Sequence, residues 1–213
     1  ELFRPYAEAG RGIVCFSISA GMSTSGNVMR LAAEELGASD RIKVIDSANL
    51  STGIGLLVVE AAIMAKNNRT ASQIVSEIER LKPNVRASFV VDTLTYLYRG
   101  GRCNAVAAMA GGILKLHPRI VVEDGAMNAS KKYRGKIASV VMNYVKDMEK
   151  DLKKARPERV FITHSGCEQE TVEKVRAYLK ELDIFDEILE TRAGGVVSSH
   201  CGPGTLGVLY IAK

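Results

Sequence analysis

Short apolar runs alternate with helical segments in the first part of this chain of 213 residues. Residues 12–19 form an apolar run of strand length, a loop rich in glycine, serine and threonine follows at 20–26, and apolar positions recur at helical spacing over 27–36. A second predicted strand at 41–45 leads to a buried helix at 53–66. Because a helix between two parallel strands returns the chain to the same end of the sheet, this order predicts a parallel, doubly wound α/β lobe.

A further helix is predicted to begin at Thr70, with Ser72 as an alternative N-cap, and to end near Leu81. Pro83 follows this helix, so we place the domain boundary within residues 82–87.

The rest of the chain mixes strands and helices without regular alternation. We therefore assign residues 1–85 to an N-terminal α/β lobe and 86–213 to a C-terminal lobe with a mixed α+β sheet. Asp124-Gly125 between two strand-like runs is a hairpin signal. In this second lobe, strands are predicted at 88–91, 119–123, 126–132, 159–164, 184–191, 196–199 and 206–212, and helices at 102–116, 135–154 and 168–182.

The composition is that of an ordinary globular protein, with 46% hydrophobic and 25% charged residues. Apolar runs such as 105–114 fall short of a membrane span. The net charge is +5, but the basic residues are dispersed and are not interleaved with aromatic residues that could stack on bases. A solvated basic surface is the favoured interpretation, and a nucleic-acid or acidic-partner binder is kept as an alternative.

The four cysteines, Cys15, Cys103, Cys167 and Cys201, are widely spaced and form no C-x-x-C pair, which argues against a zinc site. No charged-then-apolar leader opens the sequence. We therefore expect a cytoplasmic location, where the thiols stay reduced.

Two loops carry groups suited to binding an anion. Ser23, Thr24 and Ser25 lie where a predicted strand turns into a helix, and backbone N–H groups and the helix dipole favour an anion there. Simple N-capping by these hydroxyls is the alternative. Asp46-Ser47 ends the next strand, before the glycine-containing segment 51–55. Because the ends of parallel strands share one edge, both loops are expected to lie together.

Cationic and histidine side chains provide further candidates. Arg99 and Arg102 surround a glycine turn, and Arg134 lies beside Lys136; these cations either neutralise a bound anion or form surface ion pairs. His200 is predicted on a rigid Gly-Pro-Gly turn after a strand, from which it could donate a hydrogen bond to an anion.

The other histidines and the nearby thiol are weaker candidates. Cys201, next to His200, suggests a thiol nucleophile, but neighbours in an extended chain point to opposite sides. His117, before Pro118, is predicted in a loop, and His164 ends a strand.

Five motifs, taken in order along the chain, resemble the DegV family of bacterial proteins and together cover nearly all of it. They are the loop through Ser23 with Ala32-Ala33-Glu34, then Val44-Ile45-Asp46-Ser47, then Asp92-Thr93-Leu94-x-Tyr96-Leu97-x-Arg99-Gly100-Gly101-Arg102, then Arg134-Gly135-Lys136, and finally His200-x-Gly202-Pro203-Gly204-Thr205-Leu206-Gly207.

The resemblance implies a fatty-acid-binding subunit of bacterial fatty acid kinase, with a role in phospholipid metabolism. In such a protein the acyl chain lies between the two lobes, and a kinase subunit phosphorylates the carboxylate. The resemblance further implies no catalytic activity of the chain's own and no cofactor besides the bound fatty acid, and it allows peripheral contact with a membrane.

The resemblance also suggests roles for individual residues. Ser23, beside Thr24 and Ser25, matches a serine that contacts the carboxylate. His200 matches a nearby histidine, and Arg99 and Arg134 match arginines at the carboxylate rim or the partner surface.

The sequence departs from the family pattern in four places. Thr24 replaces a glycine, His117 replaces a frequent lysine, and Cys201 replaces a threonine or serine. The chain also opens where family members are already some way in, so we expect it to lack a strand and to bind fatty acid weakly or not at all by itself.

A second hypothesis is an enzyme that acts on an acyl or phosphorylated small molecule through His200, with Cys201 or Asp46. Under the lipid-carrier hypothesis, the segment at 105–114, which is rich in small apolar residues, lines an acyl tunnel. The alternative is that this segment is ordinary hydrophobic core.

Overall fold

The structure, a computed structural model, describes residues 1–102 and 116–213. These residues divide into two compact units, Glu1–Pro83 and Asn84–Lys213, and each unit contains its own sheet. The predicted mixed α/β fold class is therefore confirmed, with one parallel and one mixed sheet. The apolar segment at 105–114, and all but the ends of the helix predicted at 102–116, lie outside the described residues.

The first unit is built on two parallel strands. Ile13 pairs with Ile42 at one end of the sheet, and Ser17 pairs with Asp46 at the other. A small apolar cluster that includes Ala33 packs against these strands. In chain order the elements are α1 (Arg4–Glu8), β1 (Ile13–Ser17), α2 (Ser25–Glu35), β2 (Ile42–Asp46), α3 (Ser51–Lys66) and α4 (Ala71–Leu81).

The second unit contains a six-stranded sheet in the order β5-β4-β3-β8-β6-β7. The last strand of the chain therefore lies in the middle of the sheet, and only β6 and β7 pair in parallel. After a 3-10 turn at Lys82–Asn84, the elements are β3 (Val85–Val90), α5 (Thr95–Gly100), β4 (Leu116–Glu123), β5 (Ala126–Arg134), α6 (Ile137–Asp147), α7 (Glu149–Leu152), β6 (Ala155–Ser165), α8 (Gln169–Glu181), β7 (Glu187–Arg192), α9 (Gly195–Cys201) and β8 (Thr205–Ala212).

A fully buried tyrosine holds α6 against the centre of this sheet. The Tyr144 hydroxyl donates to the Ser88 carbonyl at 2.7 Å and accepts from the Val208 amide at 3.0 Å. These bonds link one helix to two neighbouring strands in the core, where a buried polar group needs a partner. Burial raises the pKa of this phenol, so it stays protonated and able to donate.

Three predicted elements differ from the structure. Residues 196–199 lie in the helix α9 rather than in a strand. Val196 and Val197 had suggested a strand, but tertiary contacts such as that of His200 with Gly100 of α5 override this local preference. The helix predicted at 135–154 is two helices that meet at Met148. His117 lies in β4 and is buried, not in a loop, because it pairs across the hairpin with Tyr133.

No helix within residues 1–102 and 116–213 is both long enough and apolar enough to cross a membrane.

The hydrogen bonds at the start of α4 identify its N-cap residue. Thr70 Oγ1 accepts from the Gln73 amide at 3.3 Å, and the Gln73 side chain accepts from the Thr70 amide at 3.0 Å. This reciprocal pair is a capping box, so Thr70 and not Ser72 is the N-cap.

We predict that Thr70→Ala lowers the free energy of unfolding by about 0.5–2 kcal/mol, since the Gln73 amide loses its acceptor, Thr70 Oγ1. Ser72→Ala is the matched control, because Ser72 is an exposed position inside the helix and alanine favours helix there. Urea denaturation followed by circular dichroism measures both. Equal loss in the two variants would contradict this account of the helix start.

Candidate functional site

The two predicted anion loops of the first unit lie together, as expected for the ends of neighbouring parallel strands. The Ser19 amide donates to the Asn49 carbonyl at 2.9 Å. The Asp46 carboxylate accepts from the Ala20 amide at 3.3 Å and from the Ala48 amide at 2.9 Å. The carboxylate therefore joins the loop after β1 to the loop after β2.

The three candidate hydroxyls, those of Ser23, Thr24 and Ser25, lie in sequence where α2 begins. Ser23 Oγ accepts from the Ser25 amide at 3.2 Å, which leaves its O–H free to donate. Thr24 is the N-cap residue, yet its side chain makes no capping bond. No acceptor for these three hydroxyl protons occurs in the part of the chain that the structure describes.

Thr24 fits the loop although the family resemblance led us to expect glycine at this position. Its backbone angles are φ −84° and ψ 6°, outside the left-handed region that would require glycine. The departure therefore leaves the turn unstrained and adds one exposed hydroxyl to the start of the helix.

The loop after β2 depends on a close contact with α3. Asn49 is 4% exposed, and its Oδ1 accepts from the Leu50 amide at 3.0 Å. A Cβ atom on Gly53 would lie 2.0 Å from this same oxygen. Only glycine at position 53 lets the Asn49 side chain occupy its place, so this residue determines the shape of the loop.

His200 lies in the last turn of α9, where it packs on α5. This placement corrects the prediction of a histidine on a turn after a strand. The ring is half-buried, and its Nδ1 faces the backbone of Gly100. No hydrogen bond to the ring is made by residues 1–102 or 116–213.

The candidate arginines of the second unit occupy separate exposed positions. Arg99 lies in the last turn of α5, next to the glycine that contacts His200. Arg134 ends β5, opposite Leu116. Arg102 instead uses its guanidinium to donate to the Gly100 carbonyl at 2.7 Å, which stabilises the turn after α5.

Sequence reasoning missed a polar contact close to Arg134. His117 Nε2 lies 2.9 Å from the Gly135 carbonyl and donates to it when protonated there. His117 Nδ1 lies 3.4 Å from Asp92 Oδ1, at a distance suited to charge attraction but outside hydrogen-bond geometry. The signal was present in the sequence, because Asp92 opens the longest family motif and His117 occupies the frequent lysine position.

The thiols of the described residues are not exposed nucleophiles. Cys201 is 5% exposed, since α9 turns it into the core. Burial raises the pKa of Cys167 to about 11 and also raises the pKa of Cys15, which keeps both thiols protonated at neutral pH. Groups of histidine, cysteine and acidic residues able to hold a metal are absent from the residues described.

The comparison with known families matches the whole chain. A sequence model of the DegV family of uncharacterised proteins matches residues 1–213. The chain belongs to the DegV family. The resemblance inferred from the five motifs is thus confirmed.

Relatives and solved structures support the same assignment. A DegV domain-containing protein of Clostridium perfringens is 33% identical over 215 residues, which cover 99% of this chain and 73% of the relative. A DegV family protein of Thermus thermophilus, solved in a study of fatty acid binding, is 27% identical to this chain, with a TM-score of 0.86. The match covers 99% of this chain and 75% of the Thermus thermophilus chain. A stearic acid-binding protein of Eubacterium ventriosum is 27% identical, with a TM-score of 0.82, and the match covers 100% of this chain and 74% of that protein's chain.

We predict that Gly53→Ala destabilises the first unit by about 1–3 kcal/mol, because the added Cβ displaces the buried Asn49 side chain. Gly55→Ala is the matched control in the same helix. Its added Cβ would lie 3.6 Å from Thr52, an ordinary contact, so we expect a gain of about 0.5–1 kcal/mol from helix propensity. Denaturant titration distinguishes the two, and a stable Gly53→Ala protein would exclude a structural role for the Asn49 contact.

Proposed function

We propose that this chain binds a long-chain fatty acid through its carboxylate and presents that carboxylate to a fatty acid kinase subunit. The observation that carries the proposal is membership of the DegV family together with the similarity to fatty-acid-binding DegV structures. The chain itself acts as a carrier without catalytic activity.

The serine loop has the properties that a carboxylate ligand requires. The Ser25 amide donates to Ser23 Oγ, so the remaining function of this hydroxyl is to donate its proton outward. Thr24 and Ser25 add two further hydroxyls at the positive end of α2. Hydroxyl donors bind an anion without bringing a positive charge that would have to be desolvated.

His200, Arg99 and Arg134 are the candidate ligand-binding residues within the second unit. His200 is half-buried and unpaired within the described chain, so its Nε2 can donate to a carboxylate oxygen. Arg99 and Arg134 are exposed, which suits a role at the rim of the carboxylate site or in contact with the partner.

The partner reaction needs only an accessible carboxylate. One carboxylate oxygen attacks the terminal phosphorus of a nucleoside triphosphate held by the kinase subunit. The new bond gives an acyl phosphate, while the bond to the nucleoside diphosphate breaks and that diphosphate leaves with the electron pair. The carrier positions the acid and shields its acyl chain from water.

We predict that Ser23→Ala weakens binding of stearic acid by roughly 10–150-fold, which corresponds to about 1.5–3 kcal/mol for one hydrogen bond to a charged group. Isothermal titration calorimetry measures the affinity, and thermal melting checks that the variant stays folded. Ser39→Ala, at an exposed turn of the same unit, is the control and should bind as the parent does. Unchanged affinity of Ser23→Ala would remove Ser23 from the site.

For the partner reaction, His200→Ala should lower the rate of phosphoryl transfer by about tenfold or more, because one donor to the carboxylate is lost. The controls are His117→Ala and His164→Ala, which replace buried residues that are 6% and 5% exposed and should lower stability instead. Transfer is assayed with a purified kinase subunit and stearic acid, at a temperature where all variants are folded. The same loss in all three would rule out a particular role for His200, and strong inactivation by Cys201→Ser would support the thiol-enzyme hypothesis.

A further inference from the structure

The helices α5 and α9 of the second unit pack through two reciprocal contacts between a ring and a glycine. A Cβ atom on Gly100 would lie 2.0 Å from His200 Nδ1 and 2.9 Å from Cε1 of the same ring. A Cβ atom on Gly202 would lie 2.2 Å from Cδ2 of the Tyr96 ring. The His200 ring of α9 thus packs on Gly100, the last residue of α5. In the reciprocal contact, the Tyr96 ring of α5 packs on Gly202, the residue that follows α9.

The backbone on both sides of this contact is fixed. The Gly100 carbonyl accepts from the Arg102 guanidinium at 2.7 Å, and the Gly101 amide closes α5 through the Leu97 carbonyl at 3.2 Å. On the other side, the Gly202 amide donates to the Ser198 carbonyl at 2.8 Å. The two contacting surfaces are therefore held by bonds of their own and cannot yield easily to an added methyl group.

We propose that Gly100 is a positioning residue for His200. The absent side chain lets the imidazole ring lie on the backbone of α5 with Nδ1 inward, and this leaves Nε2 as the ring nitrogen turned away from Gly100. The proposal deepens the proposed function and rests on it for one point only, which is that Nε2 donates to the fatty acid carboxylate.

The contact has a consequence for the neighbouring arginines. The His200 ring packs on Gly100, the residue that follows Arg99. A shift of the ring would therefore also shift the backbone of this turn, and a shift of the turn would move the ring. A bound carboxylate at His200 would thereby also stabilise the turn that presents Arg99. A change in the size of residue 100 should affect both.

The decisive experiment is a double-mutant cycle on unfolding free energy with Gly100→Ala, His200→Ala and the combined variant. Gly195→Ala is the matched control, because it lies in α9 where an added Cβ meets no atom within 4 Å. We expect Gly100→Ala to lower the free energy of unfolding. When His200→Ala has already removed the obstructing ring, this loss of unfolding free energy should be at least halved. Gly195→Ala should not lower the free energy of unfolding. Additive losses in the combined variant would overturn the proposal.

The same experiment stays informative if Gly100→Ala alone does not fold. The combined variant should then fold, since the clash is with the His200 ring, and failure of the combined variant to fold would also overturn the proposal. In folded protein, the His200 ring signals in a proton–carbon NMR spectrum should shift in Gly100→Ala and stay unchanged in Gly195→Ala. Unchanged His200 signals in both variants would contradict the positioning role.

A stearic acid titration separates this proposal from the proposed function. Gly100→Ala should bind stearic acid about tenfold more weakly than Gly195→Ala, the change expected when one hydrogen bond to a charged group is lost. If the parent protein itself does not bind stearic acid, the proposed function fails, while the stability cycle and the NMR shifts still decide whether Gly100 positions His200. Equal affinity of the two variants, in a parent that binds, would overturn the link to the ligand.

Discussion

The pairing of the last strand with both β3 and β6 is the constraint on which the second unit depends. β8 is almost entirely buried, and its register places Leu206 opposite Val90 on one side and opposite His164 on the other. The Tyr144 hydroxyl bonds to β3 and β8 together, so α6 can cover the sheet in only one position. A sheet whose central strand comes last cannot complete its core until the whole unit has been formed.

This register also determines which polar groups share one edge of the sheet. The end of β3, the start of β4, the end of β5 and the start of β8 all lie there, because the antiparallel pairs bring them together. Asp92, His117 and the turn after Arg134 are consequently in contact, and α9 with His200 enters the sheet at the same edge. In the first unit, Asp46 performs the corresponding task by joining two loops at the ends of parallel strands.

Local pattern was sufficient for much of this architecture. The apolar runs and the candidate caps Thr70 and Ser72 predicted the strands and helices of the first unit from β1 to α4, because period and capping depend on neighbouring residues only. The short helix α1 (Arg4–Glu8) was not predicted. The strand predicted at 196–199 was wrong, since β-branched residues favour strands but the surrounding contacts formed a helix. The contacts of His200 with Gly100 and of His117 with Asp92 join residues far apart in sequence, so patterns of neighbouring residues did not show them. For His117 and Asp92, the family resemblance marked each position but not the contact between them.

The central claim is that this DegV family protein is a carrier of long-chain fatty acid, and native mass spectrometry tests it most directly. The protein is purified without added lipid and is then measured under native and denaturing conditions, and again after incubation with stearic acid. The account predicts a mass increment equal to one long-chain fatty acid under native conditions, which is lost on denaturation, and a smaller increment for Ser23→Ala. An unchanged protein mass before and after incubation with stearic acid would contradict the account.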